Sequence, residues 1–169
     1  VVGHMRHQVS KYDLNTIVNK DYESSNMVKS LFFDDSFYLN LDEDLIISYG
    51  DIIYEYKNLI KLCSSTFDIS IMIDTNWLNL WNLRMDNPLS DAESLIMNEK
   101  NEIINLGMKA ESYDEIQGQF TGLLKIRKNQ IKELRNFYLS LSKDTQNKMY
   151  MTDFIQLILL MLKNISLKN

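Results

Sequence analysis

Chain breakers are scarce in this sequence. Proline occurs once and glycine five times in 169 residues, whereas turn-rich β-architectures need many more of both. The shortage favours long helices. A single cysteine, Cys63, excludes an intramolecular disulfide and a cysteine-based zinc cluster, and it suits a reducing compartment. Histidine occurs only at His4 and His7, which removes most ordinary acid–base chemistry at neutral pH. Long apolar runs are missing too: the longest, Leu157 to Leu162, has six residues, against the roughly 20 that span a bilayer. The first 20 residues lack the apolar stretch of a signal peptide. These absences predict an intracellular protein, cytoplasmic or nuclear, without a membrane span. Also absent are a Gly-rich phosphate loop, a nucleophile elbow, a helix-borne pair of histidines and the Glu-x-x-His pattern of di-iron bundles. No catalytic residue, cofactor or metal site is therefore expected, and the protein reads as non-enzymatic.

What is present describes a folded domain. Hydrophobic residues make up 45% of the chain and charged residues 24%, the balance of a globular protein. The net charge of −5 argues against a generic nucleic-acid coat, and it is unevenly placed. Residues 1–90 hold 7 Lys/Arg against 13 Asp/Glu, and residues 91–169 hold 11 against 10. Gly3-His4-Met5 resembles what a cleaved affinity tag leaves behind, so residues 1–4 read as a tag remnant and Met5 as the native start. Residues 5–20 are polar and weakly patterned and read as a flexible arm, with one helical domain over 21–169.

Within that domain the apolar residues keep helical spacing. Leu45, Tyr49, Ile52, Tyr56, Leu59 and Cys63 step by 4-3-4-3-4, the stripe of a helix packed between two neighbours. Cys63 then lies on a core-facing stripe as simple filling, and Gly50 sits inside the helix. A helix is also predicted over about 21–33, another over 67–85 with Trp77, Leu80 and Trp81 on one face, and a stop at Asn87-Pro88. Ser90…Glu93 and Ser112…Glu115 have the form of capping boxes opening two more, with Gly107 as an end signal between them. A last helix, 145–164, is apolar nearly all round and reads as the buried one. The predicted fold is all-α, a single compact bundle of about six helices.

Two constellations could dock a partner. Trp77 and Trp81, four apart, project from neighbouring helix positions, and tryptophan is enriched at binding hot spots. Asn76-Trp77 resembles the Asn-Trp start of a signature in Bcl-2-like helical proteins, although Leu78-Asn79 follows here where that family has Gly-Arg. The resemblance implies a pathogen inhibitor that binds a host helix in a groove. Lys125, Lys128, Lys132 and Arg135 step by 3-4-3 with Arg127 beside them, either a solvated helix face or a docking strip for an acidic partner. A helical nucleic-acid-binding domain using the strip 125–135 is the third reading, weakened because no aromatic residues interleave it. The acidic stretches Asp34-Asp35 and Asp42-Glu43-Asp44 serve solubility or a basic partner. The leading expectation is a protein–protein interaction module, a subunit or adaptor. Its partner is another protein, with a homo-oligomer left open and nucleic acid disfavoured.

Overall fold

A computed structural model describes residues 1–39 and 41–166. It is a mixed α/β fold. The all-α bundle is therefore corrected: five strands and eight helices alternate along the described residues. In chain order they are α1 His7–Ser10, α2 Met27–Leu31, α3 Asp35–Leu39, β1 Leu45–Ser48, α4 Tyr56–Cys63, β2 Ile69–Asp74 and α5 Trp77–Arg84. The hairpin β3 Glu93–Met97 and β4 Ile103–Lys109 comes next, then β5 Gln119–Ile126, α6 Lys128–Ser140, α7 Lys143–Lys148 and α8 Met151–Ser166.

Three strands form an antiparallel sheet in the order β1-β5-β2, with Leu45 and Ile69 flanking Ile126 from either side. β5 is the centre, and its run from Leu123 to Ile126 is buried on both faces. Such a strand shows no polar alternation, so its apolar run has the signature of a buried helix. The stripe over 45–63 dissolves for a related reason. Leu45-Ile46-Ile47 are strand formers, Gly50 and Asp51 form the turn that ends them, and the helix starts only at Tyr56. Ile53 is 102% exposed and Cys63 is exposed rather than core filling. Ile69-Ser70-Ile71 likewise pair in register with β5, so only the second part of the 67–85 segment is helical.

Neither supposed capping box opens a long helix. Ser90 closes a 3-10 turn, Pro88–Ser90, by donating its hydroxyl to the Asn87 carbonyl at 2.7 Å. The Ser112 signal opens only the 3-10 turn Tyr113–Glu115. Gly107 ends nothing; it sits inside β4 with φ +80°. At the hairpin tip Asn101 takes φ 59°, and the Asn98 carboxamide oxygen accepts from the amides of Lys100 and Glu102, both at 2.9 Å.

The main core lies between the sheet and α2, α6 and α8. Phe32, Tyr138 and Phe154 meet at its centre, Phe32 stacked on Tyr138 at 4.8 Å and edge-on to Phe154 at 5.6 Å. A smaller core gathers Trp77, Ala92, Ala110 and Ile116 under α5. At the N-terminal end Val2 bridges Val18, its amide donating to the Ile17 carbonyl at 2.8 Å, and Gly3 lies so close over Tyr22 that a Cβ there would come within 2.5 Å. Among the described residues no helix is long and apolar enough to cross a membrane.

Candidate active site

The chain just past β1 is where chemistry can collect. Tyr49 continues that strand, its amide donating to the Gly122 carbonyl at 2.9 Å. Gly122 has φ +83°, and a Cβ there would stand 2.7 Å from the Tyr49 ring. Only glycine lets the ring lie flat on β5. The ring meets Phe120 edge-on at 5.9 Å, and its hydroxyl donates to Met27 Sδ at 2.7 Å. Gly50 and Asp51 follow in a turn with open space around Gly50. The Asp51 carboxylate is exposed and engages no hydrogen bond or ion pair among the described residues.

Two further carboxylates join Asp51. Glu93 opens β3, and Gln119 of β5 grips its peptide from both sides: the Glu93 amide donates to Gln119 Oε1 at 3.3 Å, and Gln119 Nε2 donates to the Glu93 carbonyl at 2.6 Å. Its half-buried carboxyl accepts one side-chain hydrogen bond, from Thr152 Oγ1 at 3.4 Å. Burial pushes its pKa up, the charges of Asp153 and Asp91 push it further, and the Thr152 hydroxyl opposes them. Asp153 stands in the first turn of α8, where its Oδ2 accepts from the Tyr150 amide at 3.0 Å. Burial first, then the charges of Glu93 and Asp51, raise the Tyr49 phenol. Glu93 and Asp51 thus both act on the Tyr49 phenol, Asp153 and Asp91 act on Glu93, and Lys109, opposite Glu93 across the hairpin, makes no ion pair with it among the described residues.

The α8 turn is keyed onto this hairpin. A Cβ at Gly107 would come 2.8 Å from Thr152 Cβ, so the missing side chain is what seats Thr152. The Leu106 amide donates to Gln156 Oε1 at 2.9 Å one turn on.

The sequence candidates occupy other places. Trp77 is 4% exposed in the smaller core, and Trp81 meets it edge-on at 5.9 Å. Trp81 donates its indole N–H to Asp91 Oδ2 at 3.0 Å and lies 5.5 Å beneath the Arg84 guanidinium. The five basic residues do not share one helix. Lys125 belongs to β5 and is 4% exposed; its Nζ donates to the carbonyls of Cys63 at 3.0 Å and Ser65 at 2.6 Å and pairs with Asp44 at 3.4 Å. Arg127 donates to the Thr66 carbonyl at 3.3 Å, Lys128 pairs with Asp42 at 3.0 Å, Arg135 pairs with Asp35, and Lys132 is exposed on α6. Three of these bases thus face the acidic stretches of their own chain. Asp51, Glu93 and Asp153 were missed, although an apolar run closing on Tyr49-Gly50-Asp51 is a visible strand-then-turn signal.

A groove of about 750 Å³ lies elsewhere, between β2 and α8, lined by Ile69, Ile71, Ile73, Ile155 and Ile158. These isoleucines belong to the main core, and polar residues including Lys61, Asp68, Glu102 and Gln130 also line it. Among the described residues no group of three or more His, Cys, Asp or Glu side chains is arranged to hold a metal ion.

Known proteins bear on this geometry. No family model matches the chain. The sequence is 39% identical over 165 residues to the CTP:phosphoglutamine cytidylyltransferase of Campylobacter jejuni, a match covering 92% of this chain and 65% of that protein. The chain thus spans just under two thirds of that relative's length. Among solved structures, the inositol-1-phosphate CTP transferase of T. maritima superposes with a TM-score of 0.66 at 19% identity, over 95% of this chain and 60% of that one. A Bacillus anthracis protein assigned as a glucose-1-phosphate thymidylyltransferase gives 0.64 at 12% identity, over 94% and 61%. The fold is therefore shared with nucleotidyltransferases. The 39% relative, an enzyme, overturns the expected non-enzymatic module, and the Bcl-2-like and nucleic-acid alternatives fall with it.

Proposed function

We propose that the chain works in nucleotidyl transfer, with CTP as donor and a small phosphorylated molecule as acceptor. The observation that carries this reading is the 39% identity to a cytidylyltransferase along 92% of the chain; the unengaged Asp51 carboxylate in the turn after β1 supports it. In such a transfer an acceptor phosphate oxygen attacks the α-phosphorus of CTP. The bond from that phosphorus to the bridging oxygen of pyrophosphate breaks, and pyrophosphate leaves. The work asked of a protein is positioning and charge compensation rather than covalent catalysis.

The sign of the local charge then matters. Both substrates are anions, yet the charged groups that act on Tyr49 and Glu93 are carboxylates, Asp51, Asp91 and Asp153 among them. The triphosphate enters as its divalent-cation complex, the cation being part of the substrate. Mg²⁺ takes one or two carboxylates with phosphate oxygens and water, so no ready-made cage of three side chains is needed. Asp51, exposed and unengaged in the turn after β1, is the carboxylate that would meet it. Glu93, half-buried with one donor engaged, is placed to take a hydroxyl or ammonium group of the acceptor. These 169 residues contain no Gly-rich phosphate loop, so none of them cradles the triphosphate in that way. A nucleoside triphosphate donor also carries an intracellular location.

The test is pyrophosphate release with Mg²⁺ and each of CTP, UTP and dTTP against a panel of phosphorylated acceptors. Release with CTP that stops in Asp51→Asn supports the reading. Release that is indifferent to Asp51→Asn, or absent with every triphosphate, ends it.

A further inference from the structure

We infer that Thr152 is a positioning residue of the transfer site, holding the Glu93 carboxylate toward the acceptor; this rests on the transfer reading above. Thr152 is where three elements meet. Its residue belongs to α8, its Cβ packs on Gly107 of β4, and its hydroxyl donates to Glu93 Oε1 at the start of β3. At 9% exposure it is buried and has no open path to a substrate, so it acts only through its neighbours.

Glu93 needs such a neighbour. The Gln119 grip fixes its peptide but leaves the side chain free to rotate. Around the carboxyl stand Asp153 and Asp91, which repel it, and Lys109 gives no ion pair. The Thr152 hydroxyl is the sole hydrogen-bond donor to the Glu93 carboxylate among the described residues. Without it, a half-buried carboxylate facing like charges turns outward to water. The 3.4 Å separation is long, as is common for site hydrogen bonds before substrate draws them in.

The seat on Gly107 explains why threonine serves here. With φ +80° and no side chain, Gly107 lets the α8 turn approach until Thr152 Cβ would touch an added Cβ. The hydroxyl is thereby held to one side, toward β3. The same turn carries Asp153, so one packing contact fixes where both Thr152 and Asp153 stand relative to Glu93.

Thr152→Val keeps the shape and removes only the donor, and Thr152→Ser keeps the donor. In the CTP-dependent pyrophosphate assay, Thr152→Val is expected to lower kcat/KM for the acceptor on the order of tenfold or more, with KM for CTP and the melting temperature little changed. Thr152→Ser is expected to stay near wild type. In a Glu93→Gln background, Thr152→Val is expected to add no further loss, since the group it holds is gone. The assignment is overturned if Thr152→Val keeps acceptor kcat/KM within about twofold, if Thr152→Ser is impaired as badly, or if the losses with Glu93→Gln multiply. Absence of release from the wild-type chain removes the transfer reading and this assignment together. A failed Val–Ser contrast in an active protein removes the assignment alone.

Discussion

At the residue scale, two glycines with different surroundings make opposite expectations. Gly122 combines φ +83° with a Cβ position 2.7 Å from the Tyr49 ring, so Gly122→Ala incurs both backbone strain and a clash. Its expected cost is about 2 kcal/mol or more, read from the urea midpoint, and Tyr49 must leave β5. Gly50 has no atom within 4 Å of an added Cβ and no positive φ, so Gly50→Ala is expected to change stability by less than about 0.5 kcal/mol. Equal costs at the two positions would refute this account of the β1 end. The lysines make a similar pair. Lys125→Met strands the carbonyls of Cys63 and Ser65 beneath the sheet and is expected to cost about 2–3 kcal/mol. Lys128→Ala removes only an exposed pair with Asp42 and is expected to cost less than about 1 kcal/mol. Side-by-side denaturation of the two variants checks the contrast.

Elements show what a sequence can disclose about itself. The last helix was legible because 3.6-residue spacing and burial agree at Met151, Ile155 and Ile158 of α8, whereas the helix expected to open at Ser112…Glu115 gives way to β5, and α6 starts only at Lys128. The 45–63 stripe was not, because a four-residue strand, a turn and an eight-residue helix happen to place apolar residues three and four apart. Spacing alone does not distinguish such a composite from one long helix; the Ile-Ile pairs and the Gly-Asp at 50–51 were the available discriminators. The difference has a measurable edge. Were 45–63 a buried helix, Ile53→Asp would unfold the domain, but with Ile53 wholly exposed the variant is expected to melt within about 0.5 kcal/mol of wild type. The site was illegible for a further reason. Asp51 lies 42 positions before Glu93 and Asp153 lies 60 after it; sheet and hairpin pairing brings Asp51 and Glu93 to bear on Tyr49 and Asp153 on Glu93, and no local motif records that.

For the whole molecule, the buried tyrosines set the alkaline limit. Burial pushes the Tyr138 phenol up to about 12 and raises Tyr38 and Tyr49 as well. Each folded phenol holds its proton above the ordinary value near 10, so the unfolded chain ionises first. Their stabilising contribution is therefore complete below about pH 10 and is lost as pH rises from there toward 12. Melting temperature is expected to be insensitive to these groups up to about pH 9 and to fall steeply above 10, and Tyr138→Phe should soften the fall. A melting temperature that holds level to pH 12 would contradict their burial.

The strand order has a consequence in time. Among the described residues β1 pairs with β5, Leu45 with Ile126 and Ser48 with Leu123, so these partners are made 75 to 81 residues later. At about 5–20 residues per second, a ribosome needs roughly 4 to 16 s to supply them. Throughout that interval Leu45-Ile46-Ile47 and the isoleucines of β2 are nascent strands with no mate, the kind of segment that crowded chains use to stick to one another. The Tyr49–Asp51 corner therefore cannot exist until the last strand arrives. The yield of competent molecules is set by how fast residues 119–126 are delivered, and slowed translation just upstream of them lengthens the window in which the protein is lost.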